Sequence, residues 1–116
     1  MEKIDKEDVK MSEYIWGILA DNFILPMSWG VELESVHTIK MGVQFQVNGF
    51  KHKGLVNVIF NEGEDLFEIS LLDNDGSVVR SIEHVYVDQL LDTIDNAVEK
   101  TDNYEQSIKD AYGVNF

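Results

Sequence analysis

The sequence predicts an α+β domain: an N-terminal helix, an antiparallel meander of four or five strands, and two C-terminal helices packed on one face of the sheet. Three observations carry this. Between Trp29 and Glu83 apolar and polar residues alternate in short runs. Turn-forming segments separate those runs at Asn48-Gly49, Asn61–Asp65 and Asp73-Asn74-Asp75-Gly76. On either side the apolar spacing changes to the 3.6-residue period of amphipathic helices. At 116 residues and 44% hydrophobic content the chain has the size of one domain with one core.

The first helix is expected from about Lys6 to Asn22, with Met11, Tyr14, Ile15, Ile18 and Leu19 on its inner face. Gly17 weakens it and would permit close packing against it. Pro26 is expected to end it, since the residue before proline avoids the α region, leaving Phe23–Ser28 as an extended connection. A first strand follows at Trp29–Thr38, with Val36 breaking its alternation.

Gly42–Phe60 reads as a hairpin. A two-residue turn at Asn48-Gly49 would set Val47 opposite Phe50, Phe45 opposite His52 and Val43 opposite Gly54, continuing on the same face through Val56, Val58 and Phe60. The opposite face then shows Gln44, Gln46, Lys51, Lys53 and Asn57, with Leu55 and Ile59 as apolar exceptions. Phe67, Ile69 and Leu71 mark a fourth strand and Ser77–Glu83 a fifth. Asp88 is the expected N-cap of a second helix running to about Lys100, with Val87, Leu91, Ile94 and Val98 facing inward. A third helix is expected from Asp102, in a capping box with Glu105, to Gly113, with Tyr104, Ile108 and Tyr112 facing inward.

There are no cysteines, so disulfides, thiolate chemistry and cysteine zinc sites are excluded and a cytoplasmic location is expected. The apolar runs Trp16–Ala20 and Phe23–Pro26 are too short to span a bilayer, and the charged, mixed-sign start MEKIDKEDVK is unlike a secretory signal. Net charge is −13. Residues 61–80 carry 6 acids and 1 base, and residues 81–116 carry 8 acids and 2 bases. Such a surface repels phosphate backbones and disfavours direct nucleic-acid binding. It serves solubility, or attracts a basic partner.

Specific motifs fail on spacing. A calcium loop around Asp73, Asp75 and Gly76 would have Leu71 at its first ligand position and Ile82 where glutamate is needed. His37, His52 and His84 have no carboxylate or cysteine at ligand spacing, so no metal or cofactor is expected. Ser81 and His84 lack a nucleophile elbow, and no glycine-rich loop precedes a helix to hold phosphate. An enzyme is the least supported class.

Two surfaces remain as partner-binding candidates. Trp16, Met27 and Trp29 cluster at the helix-to-sheet connection; most should be core, but exposure of any would make the connection a contact patch. Phe50, Lys51, His52 and Lys53 form a basic cluster that reads either as a docking point for an anion or acidic peptide, or as a guard against strand aggregation. The expected function is a small non-enzymatic protein-interaction module of adaptor, chaperone-like or inhibitor type, and the open sheet face offers a surface for a homodimer. The first alternative is a nucleic-acid mimic presenting Glu62, Glu64, Asp65, Asp92, Asp95, Glu99 and Asp102 to a basic DNA- or RNA-handling protein. The second is a small-ligand domain whose pocket reaches a histidine.

Overall fold

Five antiparallel strands form a single sheet in chain order, the meander the short turns imply. The computed structural model describes residues 3–21 and 24–99. Its elements are α1 (Lys6–Asp21), α2 (Ile24–Ser28), β1 (Glu32–Ile39), β2 (Gly42–Asn48), β3 (Lys53–Asn61), β4 (Leu66–Leu72), β5 (Val78–Val85), a 3-10 turn (Val87–Gln89) and α3 (Leu90–Val98). The helix expected at Asp102–Gly113, and with it Asp102 and Phe23, lies outside the described residues.

One sheet face carries the core. Val43, Phe45 and Val47 of β2, Val56 and Val58 of β3 and Ile69 and Leu71 of β4 pack with Ile15 and Leu19 of α1 and with Leu90, Ile94, Ala97 and Val98 of α3. The other face is polar across its middle, where the strand register aligns Gln44, Asn57, Ser70 and Ser81 and the Gln44 amide donates to Asn57 at 2.8 Å. Leu55 and Ile59 are only half-buried on that face.

The β2–β3 register differs from a two-residue turn. Asn48 pairs with Lys53 and Val47 with Gly54, so the loop is the four residues Gly49–His52 and the register slips by four from the expected one. An even slip keeps every side chain on its face, which is why the apolar stripe is unchanged. In β1 the ladder is broken between Glu32 and His37. There the Ser35 hydroxyl replaces a backbone partner, accepting from the Gln46 N–H at 2.8 Å and donating to the Glu32 carbonyl at 2.6 Å. The irregularity signalled by Val36 is this bulge.

Three expectations are corrected. Pro26 does not end α1; it sits buried inside α2, within a first turn whose N–H groups need no intrahelical partner. The stripe of α1 is Asp8, Ser12, Ile15 and Leu19, so Tyr14 turns outward while Trp16 leans on Phe45 with ring centroids 5.5 Å apart. Asp88 lies within the 3-10 turn, and the capping bond is made by the Gln89 side-chain oxygen, which accepts from the Tyr86 N–H at 3.2 Å. Val87 is consequently exposed, and Leu90 and Ala97 join the inward stripe.

The orientation of α1 is set by Asp8. Asp5 and Asp8 cap each other, the Asp5 N–H donating to Asp8 Oδ2 at 2.9 Å and the Asp8 N–H to Asp5 Oδ1 at 3.1 Å. Asp8, fully buried, also accepts from the Met41 N–H at 2.9 Å and the Lys40 ammonium at 3.1 Å, tying the helix start to the β1–β2 turn. The Asp5 N–H lowers its pKa from 3.8 to about 2, helped by Met41 and Lys40 and opposed by burial. Stability from this carboxylate is complete above its unfolded pKa and is lost as pH falls toward 2. Urea unfolding at stepped pH should show wild type weakening between about pH 4 and pH 2. Asp8→Asn should be less stable at pH 7 and show a shallower loss across that window.

Candidate functional site

The residues expected at a contact surface divide sharply. Trp29 has no exposed surface; its indole N–H donates to Asp95 Oδ1 at 2.9 Å and its carbonyl accepts the Asn48 N–H at 2.8 Å. Trp16 is half-buried against the core. Of that patch Met27 alone is exposed, beside Ile24, which is 80% exposed. The Trp connection is thus mainly structural, as large side chains are needed to join helix to sheet.

The basic cluster is anchored to the fold through its backbone and His52, while Phe50, at 38%, Lys51 and Lys53 are exposed. The Gly49–His52 loop sits on the C-terminus of α3, where the Val98 carbonyl accepts from the Lys51 N–H at 2.8 Å and the His52 N–H at 3.2 Å. The Lys51 ammonium donates to the Asn96 carbonyl, placing a cation at the negative end of the helix. His52 is buried, with Nε2 at 3.1 Å from the Leu55 carbonyl. Lys53 is exposed but belongs to a central strand, so it guards no sheet edge. Gly49 is required by approach rather than by backbone angle: a Cβ there would lie 2.3 Å from the Val98 carbonyl oxygen.

The expected acidic stripe divides in the same way. Glu62, Glu64, Asp65 and Asp92 are exposed. Asp95 is half-buried and holds Trp29, and Glu99 is 5% exposed with Oε2 accepting the Phe50 N–H at 3.0 Å. Burial pushes the Glu99 carboxyl above its usual range and neighbouring Asp95 adds to this, while the Phe50 N–H opposes. Of the six that lie among the described residues, two therefore serve the interior.

A concave surface that the sequence reading did not single out lies across α1, the β3–β4 turn and the β5–α3 connection. It is a groove of about 520 Å³ floored by Met11, Phe60 and Phe67 and walled by Tyr14, Tyr86 and Val87, with Glu64 and Asp65 on its rim. Tyr14 is 54% and Tyr86 59% exposed. His84, in the left-handed region at φ 60°, reaches the Glu64 carboxylate with Nδ1. A second groove of about 540 Å³ also has Tyr14 in its lining, with Gly17 and Ile18 of α1 and Leu91 of α3, flanked by Glu13 and Asp21. None of the residues lining the two is Lys, Arg or His.

Gly17 is exposed, and a Cβ there would meet nothing within 4 Å. The expected close packing against it is absent among the described residues, although glycine within a helix costs about 1 kcal/mol relative to alanine. Tyr14 was hidden from the periodicity because Met11, Tyr14, Ile15 and Ile18 form an equally good stripe until Asp8 and Ser12 are counted as buried.

Among the described residues no group of three or more His, Asp or Glu side chains could hold a metal ion. No helix there is long and apolar enough to cross a membrane. Comparison with protein-family models, curated proteins and solved structures returns no match.

Two substitutions test the α3 corner by equilibrium unfolding. Gly49→Ala should cost about 3 kcal/mol, since backbone oxygen cannot yield to the added methyl. Glu99→Gln keeps an oxygen for the Phe50 N–H and removes the buried charge. A raised carboxyl pKa contributes stability below the unfolded value and loses it as pH rises through the folded one. The variant should match wild type near pH 4 and be more stable at pH 8.

Proposed function

We propose that this protein is a non-enzymatic protein-interaction module of the cytosol whose contact surface is the aromatic groove between α1, the β3–β4 turn and the β5–α3 connection. The observation that carries the reading is the pair of half-exposed tyrosines, Tyr14 and Tyr86, facing one concavity with Val87 between apolar floor residues. Tyrosine supplies a large, stiff contact area with a polar tip, and concave apolar surface rimmed by charge is where partner side chains gain most from leaving water. The groove is open, which suits a protruding partner segment better than an enclosed small ligand.

The test compares proteins captured from the source organism's lysate by tagged full-length wild type and by the Tyr14→Ser/Tyr86→Ser double variant, eluted with stepped salt and identified by mass spectrometry. A partner held by wild type at roughly 0.5 M salt, where exposed charge pairs are screened, and missing from the variant is the expected result. Identical captures from both proteins would remove the groove from the interface. A basic DNA- or RNA-handling protein released at moderate salt and indifferent to the tyrosines would favour the nucleic-acid mimic instead.

A further inference from the structure

Resting on that reading, we propose that the occupant of the two grooves that share Tyr14 is a basic amphipathic helix of another protein, laid along α1 over Gly17 with its apolar side toward Tyr14, Ile18 and Leu91. Three independent features converge here. Both grooves have Tyr14 in their lining, and α1 lines them from Met11 through Gly17 and Ile18 to Asp21, so successive turns of one helix border them. Three carboxylates, Glu13, Asp21 and Asp65, line the grooves together with Glu64, which meets the His84 imidazole, and no lysine or arginine is among the described lining residues, in a chain of net charge −13. Cationic side chains rimming an apolar stripe are the complementary pattern, and they would also steer encounter.

Gly17 supplies the third feature. Nothing in the described chain occupies the space its missing Cβ leaves, so its cost to α1 is uncompensated among the described residues. A glycine at that place lets an incoming helix approach the α1 backbone closely. The occupant is a helix rather than a strand because α1 lines both grooves and its backbone N–H and C=O groups are bonded within the helix. An extended peptide laid along α1 would bury its own N–H and C=O groups without partners.

The experiment is calorimetric titration of the full-length protein with two synthetic 18-residue amphipathic peptides, one built from Leu and Lys and one from Leu and Glu. The Leu/Lys peptide should bind and weaken by at least roughly tenfold between 0.05 and 0.5 M salt, while the Leu/Glu peptide should show no heat of binding. Gly17→Leu, which fills the groove without changing charge, should reduce Leu/Lys binding by about tenfold or more. Gly17→Ala should melt at a higher temperature than wild type and yet bind the Leu/Lys peptide more weakly, with a smaller loss than Gly17→Leu, showing that the loss is obstruction and not unfolding.

Leu/Lys binding that Gly17→Leu leaves unchanged would mean diffuse surface attraction and would overturn the proposal. No binding of the Leu/Lys peptide, or equal binding of both peptides, would overturn it too. Each of these leaves the tyrosine groove to be judged by lysate capture, so the two readings fail separately.

Discussion

The end of α3 and the Gly49–His52 loop are a single device, and the hairpin register depends on it. A two-residue turn at Asn48-Gly49 and the observed four-residue loop both keep Val43, Phe45 and Val47 on the core face, so burial does not choose between them. Docking on α3 does. In the observed register the Val98 carbonyl receives two loop N–H groups, Glu99 receives the Phe50 N–H, and Lys51 reaches the Asn96 carbonyl. At about 1 kcal/mol net for each hydrogen bond, these exceed any preference of Asn-Gly for a tight turn. Trp29 completes the corner by holding Asn48 through its carbonyl and Asp95 through its indole, so β2, α2 and α3 are located by the same few residues.

The negative charge of this chain is not one pool. Asp8, Asp95 and Glu99 are acceptors for backbone N–H groups, an indole and a lysine, and their place is decided by unpaired donors at helix ends and turns. Their cost differs with supply. Asp8 meets two backbone donors and an ammonium and is held ionised, whereas Glu99 sets the Phe50 N–H against burial and a neighbouring carboxylate. Glu13, Asp21, Glu64 and Asp65 line the grooves, Glu64 against the His84 imidazole. Counting acids in the sequence merges these classes.

The strands and their core faces were legible because alternation has a period of two and survives an even slip in register; the turns at Asn61–Asp65 and Asp73–Gly76 were legible from residues that favour turns. Gly49 was legible as a turn residue for the wrong reason. Its need comes from Val98, about fifty positions away, which no local pattern contains. Pro26 misled because proline forbids only the interior of a helix, and α2 is little more than a first turn. Trp29 and the Phe50–Lys53 cluster were found as residues of note, but their contacts with α3 are tertiary. The groove was illegible because it joins Tyr14, Phe60 and Tyr86 from three separate parts of the chain.

The buried polar lock of α1 and its exposed aromatic are linked. With Asp8 drawn to Met41 and Lys40, the inward line must run through Ser12, Ile15 and Leu19. At about 100° per residue this turns Tyr14 roughly 130° from the centre of the stripe and sets Gly17 almost opposite the sheet. Rotating α1 to bury Tyr14 would strip the Asp8 carboxylate of its donors, an outcome more costly than leaving one tyrosine in water. The same hydrogen bonds that anchor the helix therefore hold its outer side, with Tyr14, Gly17 and the flanking carboxylates, in a fixed attitude toward solvent. Under the proposed reading, a partner would meet this side of the helix already ordered, without the entropy cost of ordering it on binding.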